Sequence, residues 1–123
     1  MIDAIVRFLL KYTTYKSADK LKEKVEGHLK YKTCKVFLNG KGEVIATVFW
    51  NIDEPDVAHV TDMVIHPECR RNGMLNKMWH VLAENIKIWP VKYLKYDRDY
   101  TEDGSNRGLT RKISVARFLR RMK

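Results

Sequence analysis

Val60-Thr61-Asp62-Met63-Val64-Ile65-His66-Pro67-Glu68-Cys69-Arg70-Arg71-Asn72-Gly73-Met74-Leu75 is the stretch on which the fold turns. Residues Val57 to His66 are rich in β-branched and apolar side chains and read as a strand that Pro67 helps to end. From Asn72 to about Ile86, Met74, Leu75, Met78, Leu82 and Ile86 keep a helical period, and Trp89-Pro90 marks the exit. Val91 to Arg98 returns as another strand. A strand-helix-strand unit of this length is a crossover, so its two strands are expected to run parallel.

Upstream, Ile2, Ile5, Val6, Leu9 and Leu10 recur at helical spacing and predict a helix over residues 2 to 12. Ser17 is a candidate N-cap for a second helix, in which Leu21, Val25 and Leu29 form the apolar face and which ends near Tyr31. Cys34 to Asn39 and Glu43 to Ile52 read as strands joined by Gly40-Lys41-Gly42, a composition suited to an antiparallel hairpin. Asp53-Glu54-Pro55-Asp56 follows as an acidic turn. Downstream, polar residues from Asp99 to Gly108 predict a loop, followed by a last helix with Val115, Phe118, Leu119 and Met122 on one side. The order ααββ(β)αβα predicts an α/β fold with a mixed sheet: an antiparallel hairpin, then the crossover, with two N-terminal helices and a basic C-terminal one.

The chain has 123 residues, the length of one domain, with 45% apolar and 32% charged side chains. A single domain over residues 1–123 is expected. The apolar runs are too short to cross a bilayer, and Asp3, Arg7 and Lys11 interrupt the first helix as no secretory signal would allow. Cys34 and Cys69 form no disulfide framework. These features point to a cytoplasmic protein with no membrane partner. The net charge is +9, and from Arg107 to Lys123 there are seven Lys or Arg residues and no acids. Such a segment suits nucleic acid, an anionic membrane or a phosphate-bearing cofactor, and charge alone does not choose among these and a solvated helix face.

The turn between strand and helix carries the legible chemistry. The first turn of a helix has unpaired N–H groups and a partial positive charge, and so can hold a phosphate. Arg70 and Arg71 add forked donors, and Gly73 removes a Cβ where a ligand would approach the backbone. Anion binding is the direct expectation, although R-x-x-G alone is a weak pattern that also serves as an ordinary turn.

With these residues in view, the run from Val60 to Leu75 resembles motif A of the GNAT superfamily of N-acetyltransferases, which joins a strand to Q/R-x-x-G-x-G/A and a helix. Arg70 takes the first position of that pattern and Gly73 its first glycine, while Leu75 stands where the family has Gly or Ala, so its side chain must turn into the core. The resemblance implies that acetyl-CoA is the cosubstrate. It implies further that backbone groups of Met63, Val64 and Ile65 meet the acyl-pantetheine arm, and that the amides of Arg70, Arg71, Asn72, Gly73, Met74, Leu75 and Asn76 surround the pyrophosphate. The two parallel strands of this family splay apart to admit the arm. Against the family pattern, the chain is expected to lack the usual first strand and the final pair of strands.

Transfer to a protonated alkylamine of pKa about 10 needs a base at neutral pH. Alternation along a strand predicts that His59 and Thr61 share a side with Met63 and Ile65, with Asp62 on the other. Several GNAT enzymes carry a catalytic Glu or His at the position matching His59, so the resemblance implies His59 as general base. Tyr96, slightly favoured over Tyr100, is the candidate general acid, although either is also an ordinary aromatic. His59, His66, Cys69 and His80 match no zinc spacing, and no metal is expected. The function implied is acetyl transfer from acetyl-CoA to a primary amine, on a small molecule or a protein. The alternative is a catalytically inactive GNAT-fold binding protein whose basic C-terminal helix meets nucleic acid or a protein partner. An exposed sheet edge also raises a homodimer as an expectation.

Overall fold

A computed structural model describes residues 1–97 and 110–122 of the chain. The loop expected from Asp99 to Gly108, Tyr100 included, lies outside the described residues. Two helices, α1 (Ile2–Tyr12) and α2 (Ala18–Tyr31), precede the strands β1 (Cys34–Leu38), β2 (Val44–Glu54) and β3 (Val57–Ile65). A single 3-10 turn (Pro67–Cys69) leads to α3 (Met74–Ile86), then come β4 (Tyr93–Asp97), β5 (Thr110–Ser114) and α4 (Val115–Arg121). The strands form one sheet in the order β1-β2-β3-β4-β5, antiparallel except for the parallel pair β3 and β4. The expected mixed α/β sheet is therefore present.

Two helix pairs cover opposite faces of this sheet. Ile5, Val6, Phe8 and Leu9 of α1 and Leu21 and Val25 of α2 pack on Phe49 and Val64. Met78, Leu82 and Ile86 of α3 and Phe118 of α4 pack on Ala46, Val48, Trp50, Met63, Ile65, Leu94 and Ile113. Ser17 caps α2 by accepting from the backbone N–H of Lys20. The third apolar contact of α2 is His28 and not Leu29, which stands exposed. The helix twist favours i+7 over i+8 when one ring must reach the sheet, and His28 sets its ring edge-on to Phe49 at 4.9 Å.

The C-terminal region departs from expectation. The basic segment is not one helix: its first part is the edge strand β5, which pairs antiparallel with β4 from Tyr93↔Ser114 to Asp97↔Thr110. One strand beyond β4 is thus present where none was expected. Ile113 fills the core, Lys112 faces away from it, and Ser114 ends the strand and caps α4 by accepting from the N–H of Arg117. Arg117, Arg120 and Arg121 are exposed. The acidic turn also shrinks, since β2 runs through Glu54 and only Pro55 and Asp56 turn, Asp56 with a φ of +66°. Among the described residues no helix is long and apolar enough to cross a membrane.

Two buried polar groups generate predictions. Thr47 Oγ1 is fully buried without a hydrogen-bond partner, so Thr47→Val should stabilise the fold by about 1 kcal/mol, read as a higher urea midpoint at unchanged slope. His28 donates from Nδ1 to Thr33, and burial, with the charge of Lys24, lowers its pKa below the ordinary 6.5. A lowered folded pKa gives stability that is present above the unfolded value and lost as pH falls through the folded one. His28→Asn, which keeps the donor to Thr33, should flatten the loss of stability between pH 7 and pH 5.5 in urea titrations.

Candidate active site

The site is built around one extra residue in β3. Phe49 of β2 lies opposite Asp62 and Trp50 lies opposite Val60, so Thr61 has no counterpart and forms a bulge. Its hydroxyl donates to the carbonyl of Phe49 at 3.4 Å. A bulge shifts the alternation of side chains by one. Ala58 and Val60 before it, and Met63 and Ile65 after it, consequently all enter the core beneath α3, while Val64 enters the core beneath α1.

This corrects the expected grouping. His59 does not share a face with Met63 and Ile65; it lies with Asp62 on the side covered by α1 and α2, directly opposite Asn51 of β2. Strict alternation assumed an unbroken strand, and the inserted Thr61 breaks it.

Just before the bulge, β3 and β4 part. They pair only from Val57↔Tyr93 to His59↔Lys95, whereas β3 stays paired with β2 as far as Ile65 and β4 stays paired with β5 as far as Asp97. A wedge therefore opens between the carboxyl ends of the two parallel strands, which is where α/β sheets bind ligands. His59 sits at its closed end. Met63, Val64 and Ile65 form the β3 side of the open part, their side chains buried in the two cores. Tyr96 lies on β4 one residue past the last pair with β3, on the α3 face, with its ring edge-on to Trp79 at 5.5 Å. His59 and Tyr96 are thus on opposite faces of the sheet.

The turn at the mouth of the wedge is tightly specified. His66 accepts the N–H of Glu68 on Nδ1, which leaves Nε2 to donate to the hydroxyl of Tyr12 in α1 at 2.9 Å. Arg70 donates from Nε to the carbonyl of Ile65 at 3.0 Å and so folds back over the end of β3. Arg71 and Gly73 have φ values of +64° and +89°, a conformation easy for glycine and costly for arginine. Gly73 opens α3 with no side chain capping the first N–H groups. A Cβ placed on Gly73 would meet no atom within 4 Å beyond its own stretch of chain, so the turn faces open space at this position. Arg71, Asn72 and Asn76 are exposed, while Met74 and Leu75 turn inward against the α3 core. Backbone donors facing open space fit a pyrophosphate, and the inward Leu75 leaves that space clear.

A second cluster escaped the sequence. Asp62, 5% exposed, accepts from Tyr15 Oη at 2.9 Å and forms an ion pair with Lys24, which also donates to Tyr15 at 2.8 Å. Burial is the largest single influence on Lys24 and would lower its pKa, but the Asp62 carboxylate and the Tyr15 hydroxyl together outweigh it and raise it. Burial raises that of Tyr15 as well. Lys24 sits on the polar side of α2, where a lysine reads as solvated, and Tyr15 lies between predicted helices. Only the polar Asp62 inside an apolar strand signalled a partner. Among the described residues no group of three or more His, Cys, Asp or Glu side chains is gathered to hold a metal.

Lys24→Met should cost about 1–3 kcal/mol in urea unfolding, because it leaves a buried carboxylate with Tyr15 alone. The double variant Lys24→Met, Asp62→Leu should recover most of that loss, and strict additivity of the two changes would refute the coupling.

No family model matches the chain, and no curated protein matches it. Solved structures do. GCN5 from Tetrahymena superposes with a TM-score of 0.59 at 13% identity, covering 80% of this chain and 61% of that one. The GNAT family N-acetyltransferase YhbS from Escherichia coli, in complex with CoA, gives 0.60 at 11% identity, covering 80% and 57%. This chain thus spans about three-fifths of the length of either. The spermidine N-acetyltransferase from Vibrio cholerae, in complex with CoA and spermine, gives 0.64 at 13% identity, covering 96% of this chain and 92% of that one. The chain superposes on these N-acetyltransferases over most of its length, and it has the GNAT fold.

Proposed function

We propose that the protein transfers an acetyl group from acetyl-CoA to a primary amine. The observation that carries this reading is the wedge: β3 leaves β4 at His59, and at its mouth the turn from Arg70 to Gly73 aims uncapped backbone donors of α3 at open space. The fold shared with N-acetyltransferases, two of them bound to CoA, supports the same conclusion.

In this reading the amides from Arg70 to Asn76 hold the pyrophosphate, and the backbone of Met63, Val64 and Ile65 lines the arm. Acetyl-CoA supplies the acetyl thioester. Asp62 and His59 face the acceptor side of the sheet, and His59 takes the proton that the ammonium must lose before its nitrogen can attack. Tyr96 takes the acid role, supported by its position just past the last β3–β4 pair. Arg70, turned onto the carbonyl of Ile65, keeps the arm-lining strand and the phosphate turn in register.

A ligand bound only by the folded state must stabilise it. Acetyl-CoA and CoA should raise the thermal midpoint by several degrees, and no rise at millimolar ligand would refute the reading. Gly73→Val should abolish the rise while itself costing about 1–3 kcal/mol through backbone strain. His59→Ala should leave the rise intact and cut turnover by roughly 10²-fold or more, whereas unchanged turnover would remove His59 as base.

A further inference from the structure

The connection between α1 and α2 forms one wall of a recess of about 430 Å³ that reaches from solvent to the Tyr15–Lys24–Asp62 cluster. Lys16, Lys20 and Lys24 line it, with the hydroxyls of Thr14, Tyr15 and Ser17, and none of its lining residues is acidic. Its inner wall is Tyr15 and Lys24, both bonded to Asp62. Asp62 is the first residue past the bulge, beside Met63, where β3 has already left β4. The recess thus ends one side chain from the strand assigned above to the acyl arm, on the same side of the sheet as His59.

The neighbouring sheet surface carries the same sign. Leu94 and Ile113 point into the α3 core, so Lys95 of β4 and Lys112 of β5 point to the opposite side, the face that carries His59. Lys95 is 3.5 Å from Glu54, and Lys112 lies over the ring of Tyr93 at 4.8 Å. Among the described side chains, the acids close to this side have partners or lie elsewhere. Asp62 is matched by Lys24 and Glu54 by Lys95, Glu23 lines a different cavity on the far flank of α2, and Asp19 is exposed and outside the recess. Lys16 and Lys20 remain as exposed ammonium groups converging on one recess.

Resting on the acyltransfer reading, we propose that this recess is the acceptor subsite and that the acceptor is a small amine which also carries an anionic group, a phosphate or carboxylate, held by Lys16 and Lys20. An amine with a second positive charge, such as a polyamine, meets repulsion in the same place. Unit charges about 7 Å apart in water-like surroundings change an equilibrium by about threefold. Two lysines therefore favour an anion by roughly tenfold and oppose a second cation by a similar factor. Lys24 is not available to either, since Asp62 and Tyr15 engage it.

The test compares three acceptors that present the same primary amine: O-phosphoethanolamine, ethanolamine and putrescine. At low salt kcat/KM should fall in that order by roughly tenfold per step, and the spread should narrow as salt screens the lysines. The exposed double variant Lys16→Glu, Lys20→Glu should invert the order, with putrescine ahead of O-phosphoethanolamine. Putrescine preferred by the unaltered protein, or an order that the double variant leaves unchanged, overturns the proposal. If acetyl-CoA fails to raise the thermal midpoint, the acyltransfer reading fails and the acceptor role falls with it. Calorimetry with O-phosphoethanolamine alone still separates the two failures: binding that disappears in the double variant sustains anion recognition by the recess, and no binding at millimolar concentration overturns that as well.

Discussion

The insertion of Thr61 into β3 is the constraint on which the rest of the structure depends. An antiparallel ladder fixes which side chains meet which face, and one extra residue exchanges the faces for everything beyond it. In β3 this lets Val60 and Met63 occupy the same core, delivers Asp62 to the α2 side, and leaves His59 as the last residue held against β4. A regular strand would have buried Asp62 under α3 among Met78 and Leu82, with no cation to meet it. The bulge also increases local twist, which accounts physically for the loss of pairing with β4 beside it, from Val60 onward.

The polar contacts respond to that geometry. A carboxylate taken out of water is costly unless a charge and further donors accompany it. Lys24 can supply the charge because its long stem reaches down from the edge of α2 and over the ring of Phe49 at 5.7 Å. Tyr15 supplies the second donor and draws the α1–α2 connection onto the sheet. On the other side of the bulge, the pair Tyr12–His66 ties α1 to the turn that precedes α3. The first helix thereby touches the sheet in the middle and the turn before α3 at its end.

Much of the fold was legible in the residues because its signals are local. Ser17 as cap, the Gly40-Lys41-Gly42 hairpin, the apolar period of α3 and Gly73 at a strand-to-helix turn each depend on neighbours a few positions away. The bulge was not legible. Val57 to Ile65 is buried on both faces, so it shows no alternation whose break could be seen. The edge strand β5 was hidden for the opposite reason, since a single core residue, Ile113, is too little to outweigh the basic helical pattern that follows. The Tyr15–Lys24–Asp62 cluster joins three elements far apart in sequence, and only the three-dimensional register brings it together. The candidate phosphate turn could be named residue by residue, whereas the facing of His59 could not, because it hangs on that one inserted residue.

The brevity of the ladder between β3 and β4 has a mechanical meaning. Three residue pairs join a three-stranded half, carrying α1 and α2, to a two-stranded half that carries α4. Apart from that seam, the pair Lys95–Glu54 crosses between the halves, and α3 packs on both, on Met63 and Ile65 of one and on Leu94 and Phe118 of the other. A molecule lodged along the seam with bonds to both strands would serve as the missing rungs. Occupancy and cohesion of the two halves would then draw on the same contacts, and the protein would be stiffest when such a molecule is bound.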